Sequence, residues 1–340
     1  MTETGPAHRR MTVIGDGQMG LVMAEALACG DHQVRLWGPF PDHVEQLART
    51  RLSDRLPGYR LGESIEVCTD ARHALEGADL VVCASPCQFV RSVFMKLKDQ
   101  LDGSPVLVSV AKGVEIESLE RPTEILDSIF DGSGCSTVCL SGPTIASELA
   151  RHQIAIMVAA GADPAATEFV QDAFSTRWLR IYTSSDVLGV EFAGAIKNVV
   201  AIAAGILDGL GAGMNAKSAL LARGLAEIVR LGSAMGARPE TFFGVAGVGD
   251  LATTCYSPEG RNRSCGEAIG RGVPLERYLE ESMCVVEGVA TTRAIMTLVE
   301  RFEVEVPILS AVNDVLFEGV SARDAIDSLL SREAGPEIVG

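Results

Sequence analysis

The chain has 340 residues, 47% of them hydrophobic and 22% charged, with a formal net charge of −16. That length supports two domains, each large enough for its own core. The acidic balance argues against nucleic acid or an anionic membrane as partner, since both require a basic face, but it leaves room for a small anion held by a few local cations.

The start, MTETGPAHRR, is polar and runs directly into a strand pattern, so residues 1–10 are expected to be a loose tail rather than a signal peptide. MTVIG (11–15) reads as a strand and QMGLVMAEALACG as a helix ending at Gly30; QVRLWG is the next strand. IEVCTD, DLVVCASP, PVLVSVAKG and STVCLSGP continue the series, with helical stretches such as QFVRSVFMKLKDQL between them, and IAIMVAAG and WLRIYTSSD complete it. Continuous apolar strands alternating with helices predict a parallel sheet covered on both faces. From Asp186 the texture changes. GVEFAGAIKNVVAIAAGILDGL, KSALLARGLAEIVRLGSAM and TTRAIMTLVERF read as helices, and strand signals nearly vanish. The expected fold is an α/β domain over 11–185, a Rossmann-type doubly wound sheet, then an all-α domain over 186–330 and a loose tail over 331–340. Uninterrupted apolar runs such as IAIMVAAGA fall well short of the ~18 residues of a membrane span. The 9 cysteines are odd in number and form no C-x-x-C pair, which predicts a reducing, cytoplasmic setting without disulfides or a metal site.

GDGQMG (15–20) fits G-x-G-x-x-G between the first strand and the first helix, the setting of a dinucleotide site. Gly15 permits the tight turn, Gly17 lets the backbone approach a pyrophosphate, and Gly20 allows close helix–strand packing. Asp16 puts a carboxylate near that pyrophosphate, so it must turn away or weaken binding. The acid expected about 20 residues on is missing, because the second strand ends Leu36-Trp37-Gly38-Pro39. No arginine stands there to mark a 2′-phosphate, so NAD and NADP both remain open.

Polar islands sit at element ends: Lys112 in AKG, SGPT (141–144), and the basic knot Arg261-Asn262-Arg263 closing GVGDLATTCYSPEGRNRS. Arginine, asparagine and backbone amides suit a phosphate; a solvated loop is the competing reading. Asn262-Arg263-Ser264 matches a glycosylation sequon, read as chance in a cytosolic chain. GAGMNAKS (211–218) mimics a phosphate-binding loop but has Ala216 at the glycine position and no preceding strand. All 5 histidines lie in the first domain or its tail, which excludes a histidine base in the second. A hydride transfer at a carbon bearing oxygen still needs a proton partner, and Lys197, alone among the apolar residues of FAGAIKNVVAIAAG, can supply it. Burial lowers a lysine's pKa and a neighbouring Lys112 adds to this, whereas Asp250 opposes it. Asn198 and Thr254 could orient a substrate. The bland alternative is a lysine whose stem snorkels to water.

These pieces together resemble the NAD(P)-dependent glycerol-3-phosphate dehydrogenases of bacterial type. The resemblance spans about Met11 to Leu330, through VIGDGQMG, LVVCASPCQFVR, VAKGVE, SGPTIASEL, GAIKNVVAIAAGILDGLGAGMNAKSALLARGLAE, GVGDLATTC, GRNR and VVEG. It implies NAD or NADP as cofactor and reversible reduction of dihydroxyacetone phosphate to glycerol 3-phosphate for phospholipid synthesis. It further implies a cytoplasmic homodimer. Lys197 would exchange the proton at the substrate's C2 oxygen; Lys112, Gly142, Thr144, Asp250, Gly260, Arg261 and Asn262 would line the substrate site with it. Gly15, Gly17, Gln18, Met19, Gly20, Lys112, Ala146, Arg261, Val285 and Glu287 would contact the dinucleotide. The chain departs from the family where a small residue usually replaces Asp16, where Ser-aromatic-Gly replaces Gln18-Met19-Gly20, and where serines replace Cys87 and Gly260. All but Gly260 concern the cofactor side. A dehydrogenase of another small anionic substrate and a non-catalytic dinucleotide sensor are the alternatives.

Overall fold

The computed structural model describes residues 9–30, 32–282, 285–333 and 335–337. The expected tails at 1–8, 334 and 338–340, and Cys284, lie outside the described residues. The chain divides into two compact units, one of Met1–Ala111 and Pro122–Val187, the other of Lys112–Arg121 and Leu188–Gly340. The short segment carrying Lys112 therefore packs with the helical unit, a grouping that sequence order does not reveal.

The first unit holds eight strands: β1 (Arg10–Ile14), β2 (Gln33–Trp37), β3 (Ile65–Cys68), β4 (Leu80–Cys83), β5 (Val106–Ser109), β6 (Ser136–Ser141), β7 (Ala155–Gly161) and β8 (Leu179–Ser184). They form one sheet in the order β3-β2-β1-β4-β5-β6-β7-β8. Every neighbouring pair is parallel except β6 with β7. The strand order reverses between β1 and β4, so the crevice beyond their C-terminal ends is where a doubly wound sheet takes its ligand. The side-chain period of two sends Val13, Leu80 and Val82 into the core on one face, and Ile14, Val81 and Cys83 into the core on the other. That two-sided burial is why these strands read as unbroken apolar runs.

The second unit is helical and built around Val187–Gly209. By length and composition this helix could cross a membrane, which counting uninterrupted runs did not anticipate, because Glu191 and Lys197 break the runs. It is a core helix instead: 94% of its most apolar stretch is buried within the protein. A helix apolar all round must be covered on every side. Against it lies Arg261–Gly270, at backbone contact. A Cβ on Gly205 would stand 1.9 Å from the Arg263 carbonyl oxygen, and one on Gly266 2.0 Å from that of Ile202. Helix Pro307–Phe317 is fixed differently: the buried Glu227 carboxylate accepts the amides of Ile308 and Leu309, at 2.8 and 3.1 Å. Burial pushes Glu227 up to about 7 in spite of these bonds.

The glycine crossing yields a stability prediction. Alanine at 205 gains helix propensity of about 1 kcal/mol, but it must push two backbones apart, at a cost of about 1–3 kcal/mol or more. Gly205→Ala is expected to lower the free energy of unfolding in urea; an unchanged or raised midpoint would contradict the contact.

Candidate active site

In the second unit, the Val187–Gly209 helix carries Lys197 inward and leaves it 5% exposed. The carboxylate facing it is Asp250, 0% exposed, at the start of helix Asp250–Tyr256. A π-helical turn, Val245–Gly249, leads into that helix. Its wider ring fits only because Gly247 lacks a side chain: a Cβ there would lie 2.0 Å from the Phe242 carbonyl oxygen.

Lys197 Nζ donates to Asp250 Oδ1, and to Thr254 Oγ1 at 2.6 Å. The Thr254 hydroxyl in turn donates to the Asp250 carbonyl at 2.8 Å. Lys112 Nζ donates to the other oxygen of the same carboxylate, Asp250 Oδ2, at 2.6 Å. One buried carboxylate thus serves two ammonium groups. Burial pushes Lys197 down to about 7, the repulsion of Lys112 adding to it and the attraction of Asp250 opposing it. An ammonium has three N–H donors; two of those of Lys197 are engaged by Asp250 and Thr254, which leaves one for a substrate oxygen. The snorkelling alternative does not describe this geometry, because the side chain is 7% exposed and its ammonium is bonded to Asp250 and Thr254.

One helical position on, Asn198 accepts at 2.9 Å from Asn262 Nδ2, and Asn262 Oδ1 accepts the Gly288 amide at 2.9 Å. Asn262 therefore ties three helices together, a bracing role that sequence reasoning missed. Next to it, Arg261 is exposed and donates from Nη1 to the Val285 carbonyl at 3.1 Å. Gly260 caps this helix and Glu287 opens the next. Lys112, Lys197 and Asp250 form one cluster, and Asn262, Arg261 and Val285 another on the same unit.

The remaining sequence-predicted residues belong to the first unit. Gly15 follows β1 with φ +122°, and a Cβ on it would lie 2.8 Å from the Ala84 carbonyl oxygen. A Cβ on Gly20 would lie 1.8 Å from the Gly15 carbonyl oxygen, whereas one on Gly17 would meet nothing within 4 Å. Gly17 is the N-cap of helix Gln18–Ala28, with no side chain capping its first amides and no acid in its first turn. A turn closed on its inner side, open at Gly17 and ending in uncapped amides fits a pyrophosphate. Asp16 does turn away: it is 1% exposed, and accepts from His43 Nδ1 at 2.5 Å and from Arg55 Nη1 at 2.6 Å. Gln18 Nε2 donates to the Arg55 carbonyl at 2.6 Å, and Met19 packs on the core. Gly142, Thr144 and Ala146 follow β6, where a Cβ on Gly142 would meet the Ile156 carbonyl oxygen at 2.7 Å.

A doubly wound sheet with this glycine turn, together with a desolvated lysine on a helical unit, defines an oxidoreductase that exchanges hydride with a nicotinamide dinucleotide. Residues 10–167 match the N-terminal model, and 186–327 the C-terminal model, of NAD-dependent glycerol-3-phosphate dehydrogenase. The chain is similar to the glycerol-3-phosphate dehydrogenase [NAD(P)+] of Bacillus pumilus, 41% identical over 95% of this chain and 94% of that one. The enzyme of the same name from Geobacter sp. (strain M21) is 42% identical over 96% and 98%. The crystal structure of glycerol-3-phosphate dehydrogenase from Coxiella burnetii superposes with a TM-score of 0.91, at 30% identity over 96% of this chain and 99% of that one. The chain belongs to the NAD(P)-dependent glycerol-3-phosphate dehydrogenase family.

Removing the shared carboxylate should be costly, since it strands a buried cation. Asp250→Ala is expected to lose about 3–5 kcal/mol of stability, read by denaturant unfolding at neutral pH. A loss under ~1 kcal/mol would mean that water already screens the cluster.

Proposed function

We propose that this chain interconverts dihydroxyacetone phosphate and glycerol 3-phosphate, with Lys197 as the group that gives and takes the proton at the C2 oxygen. The observation carrying this reading is the ammonium of Lys197, desolvated to a pKa of about 7 yet held by Asp250 and Thr254. The bound dinucleotide supplies the hydride in one direction and accepts it in the other. As negative charge develops on the C2 oxygen during reduction, the third N–H of Lys197 points a proton at it, and the neutral amine recovers that proton in the reverse reaction. Asp250 keeps the ammonium oriented, and Lys112, on the same carboxylate, adds positive potential for an anionic substrate. Arg261, exposed beside the braced Asn262, is the phosphate ligand in this reading, with the second Nδ2 hydrogen of Asn262 beside it. Gly142, Thr144 and Gly260 complete the substrate site by resemblance, as Ala146, Val285 and Glu287 complete the dinucleotide site. In this reading the α/β domain at 11–185 carries the glycine turn for the cofactor, and the helical domain at 186–330, with the Lys112 segment that packs on it, carries the proton-transfer lysine. A cytoplasmic homodimer is part of the same reading, supported by the family resemblance.

Two outcomes test it. Purified enzyme mixed with dihydroxyacetone phosphate should oxidise NADH or NADPH, followed at the reduced nicotinamide absorbance. Lys197→Ala should lower kcat by about 10²–10⁴-fold; undiminished turnover would remove Lys197 from the chemistry. The pH dependence has a definite sign. Reduction needs the ammonium, so its kcat/KM should fall as pH rises through about 7, while glycerol 3-phosphate oxidation should rise through the same range. Parallel profiles in the two directions would contradict a single proton carrier at Lys197.

A further inference from the structure

Within the first unit, a thiol, an imidazole and a carboxylate that the proposed chemistry does not use converge at the far end of helix Gln18–Ala28. Glu25 and Cys29 stand one turn apart, Cys29 as the C-cap, so they share a face of that helix. His152, in the turn between helix Ala146–Leu149 and β7, reaches the same face. The carboxylate oxygen, the thiol sulfur and the imidazole nitrogen all lie within 4.8 Å of one another. Each side chain is held from behind. Tyr59 donates its hydroxyl to Glu25 Oε2 at 2.7 Å, leaving Oε1 toward His152. The His152 ring stacks on Trp178, with centroids 4.8 Å apart and planes 3° apart, and its backbone is left-handed, φ +55°. Burial disfavours the Cys29 thiolate, and the indole N–H of Trp178 at the sulfur works against that. Glu25 Oε1 and His152 Nε2 are 3.7 Å apart. That is too long for a hydrogen bond, yet close to the edge of about 3.4 Å that separates oxygen and nitrogen ligands around a tetrahedral zinc ion. A second group of the same composition gives the contrast. Glu66, Cys68 and His73 also meet, but His73 Nε2 lies 2.7 Å from Glu66 Oε1 and Arg35 donates to Oε2 at 3.2 Å. Both oxygens of that carboxylate are engaged, and Cys68 is buried, whereas Cys29 is exposed.

We propose that Glu25, Cys29 and His152 form a zinc site, with solvent as the fourth ligand on its exposed side. A thiolate, an imidazole and a carboxylate together suit zinc, which accepts sulfur, nitrogen and oxygen in tetrahedral geometry. Binding displaces the thiol proton of Cys29 to solvent, while the carboxylate and the neutral imidazole lose none. Tyr59 and Trp178 supply the outer hydrogen-bonding groups that orient such ligands. The net charge of −16 favours cation uptake. The missing C-x-x-C pair argued against a metal site in the sequence, but this set needs only one cysteine, and its histidine comes from a distant turn. A bound ion would staple the end of helix Gln18–Ala28 to the turn before β7. The inference is independent of the dehydrogenase chemistry, in which none of these residues takes part.

The test uses the full chain stripped of metal, zinc chloride as the probe and a chromophoric chelator as competitor. Wild type should take up a single equivalent and melt at a higher temperature once it has done so. Cys29→Ser and His152→Gln should each weaken uptake by about tenfold or more, and His73→Gln, in the contrasting group, should leave it unchanged. Cobalt(II) in place of zinc should give wild type a thiolate-to-metal charge-transfer band in the near ultraviolet that Cys29→Ser lacks. Melting curves of the metal-free variants confirm that they are folded. Wild type that takes up no zinc would overturn the proposal, as would uptake without a thiolate band. Uptake of several equivalents that neither substitution weakens would mean an adventitious ion only, and would overturn it as well. Should both variants fail to fold, wild type still decides: zinc must protect Cys29 from iodoacetamide, read by peptide mass spectrometry, and unprotected alkylation of Cys29 sinks the site.

Discussion

The organisation of the second unit follows from one carboxylate, Asp250, holding two lysine ammonium groups away from water. A lysine charged in an apolar interior is expensive, and the enclosure needed to move Lys197 to about 7 has to come from packing. The Val187–Gly209 helix supplies it by being apolar on every side, and the neighbouring helices supply it by approaching to backbone contact. Gly205 and Gly266 make that approach possible. The same crossing lays Asn262 against Asn198, one residue from Lys197. Small residues at the crossing therefore let helix Arg261–Gly270 lie on the lysine-bearing helix closely enough for Asn262 to reach Asn198.

The sheet was legible in the sequence because its central strands, such as β1 and β4, are buried on both faces, and short unbroken apolar runs bounded by turns suit buried parallel strands. The lysine was legible as well, as the one charge in FAGAIKNVVAIAAG. Its partners were harder to find. Asp250 lies 53 residues away in the chain, and no periodic pattern links two side chains that meet through tertiary packing. The Lys112 segment is a sharper case: it interrupts the sheet-forming sequence but packs with the helices, and nothing in its composition says so. Asn262 read as a phosphate ligand from its arginine neighbours; that its amide also braces helices is visible only once Asn198 and Gly288 are seen on either side.

Asp16 shows the limit from the other side. In the sequence it looked like an error in a phosphate-binding turn. Its compensation is in Arg55 and His43, and in the bare backbone of Gly38, which leaves room for the carboxylate behind the strand end. A residue that breaks a local rule is here accounted for by partners that carry no motif of their own, His43 on helix Pro41–Thr50 and Arg55 beyond it.

The two units use one device on different cations. In each, a buried aspartate fixes a cation: Asp250 holds Lys197, and Asp16 holds Arg55. What differs is the cation and its exposure. An ammonium enclosed in an apolar core can lose its proton near neutral pH, so Lys197 suits proton transfer. A guanidinium keeps its charge in any setting a protein offers, and Arg55, one third exposed, can only attract and orient. An arginine at 197 could not give up a proton near neutral pH, whereas a lysine there can. The two cations are thus separated by their surroundings, a lysine enclosed in the core and an arginine one third exposed near the glycine turn.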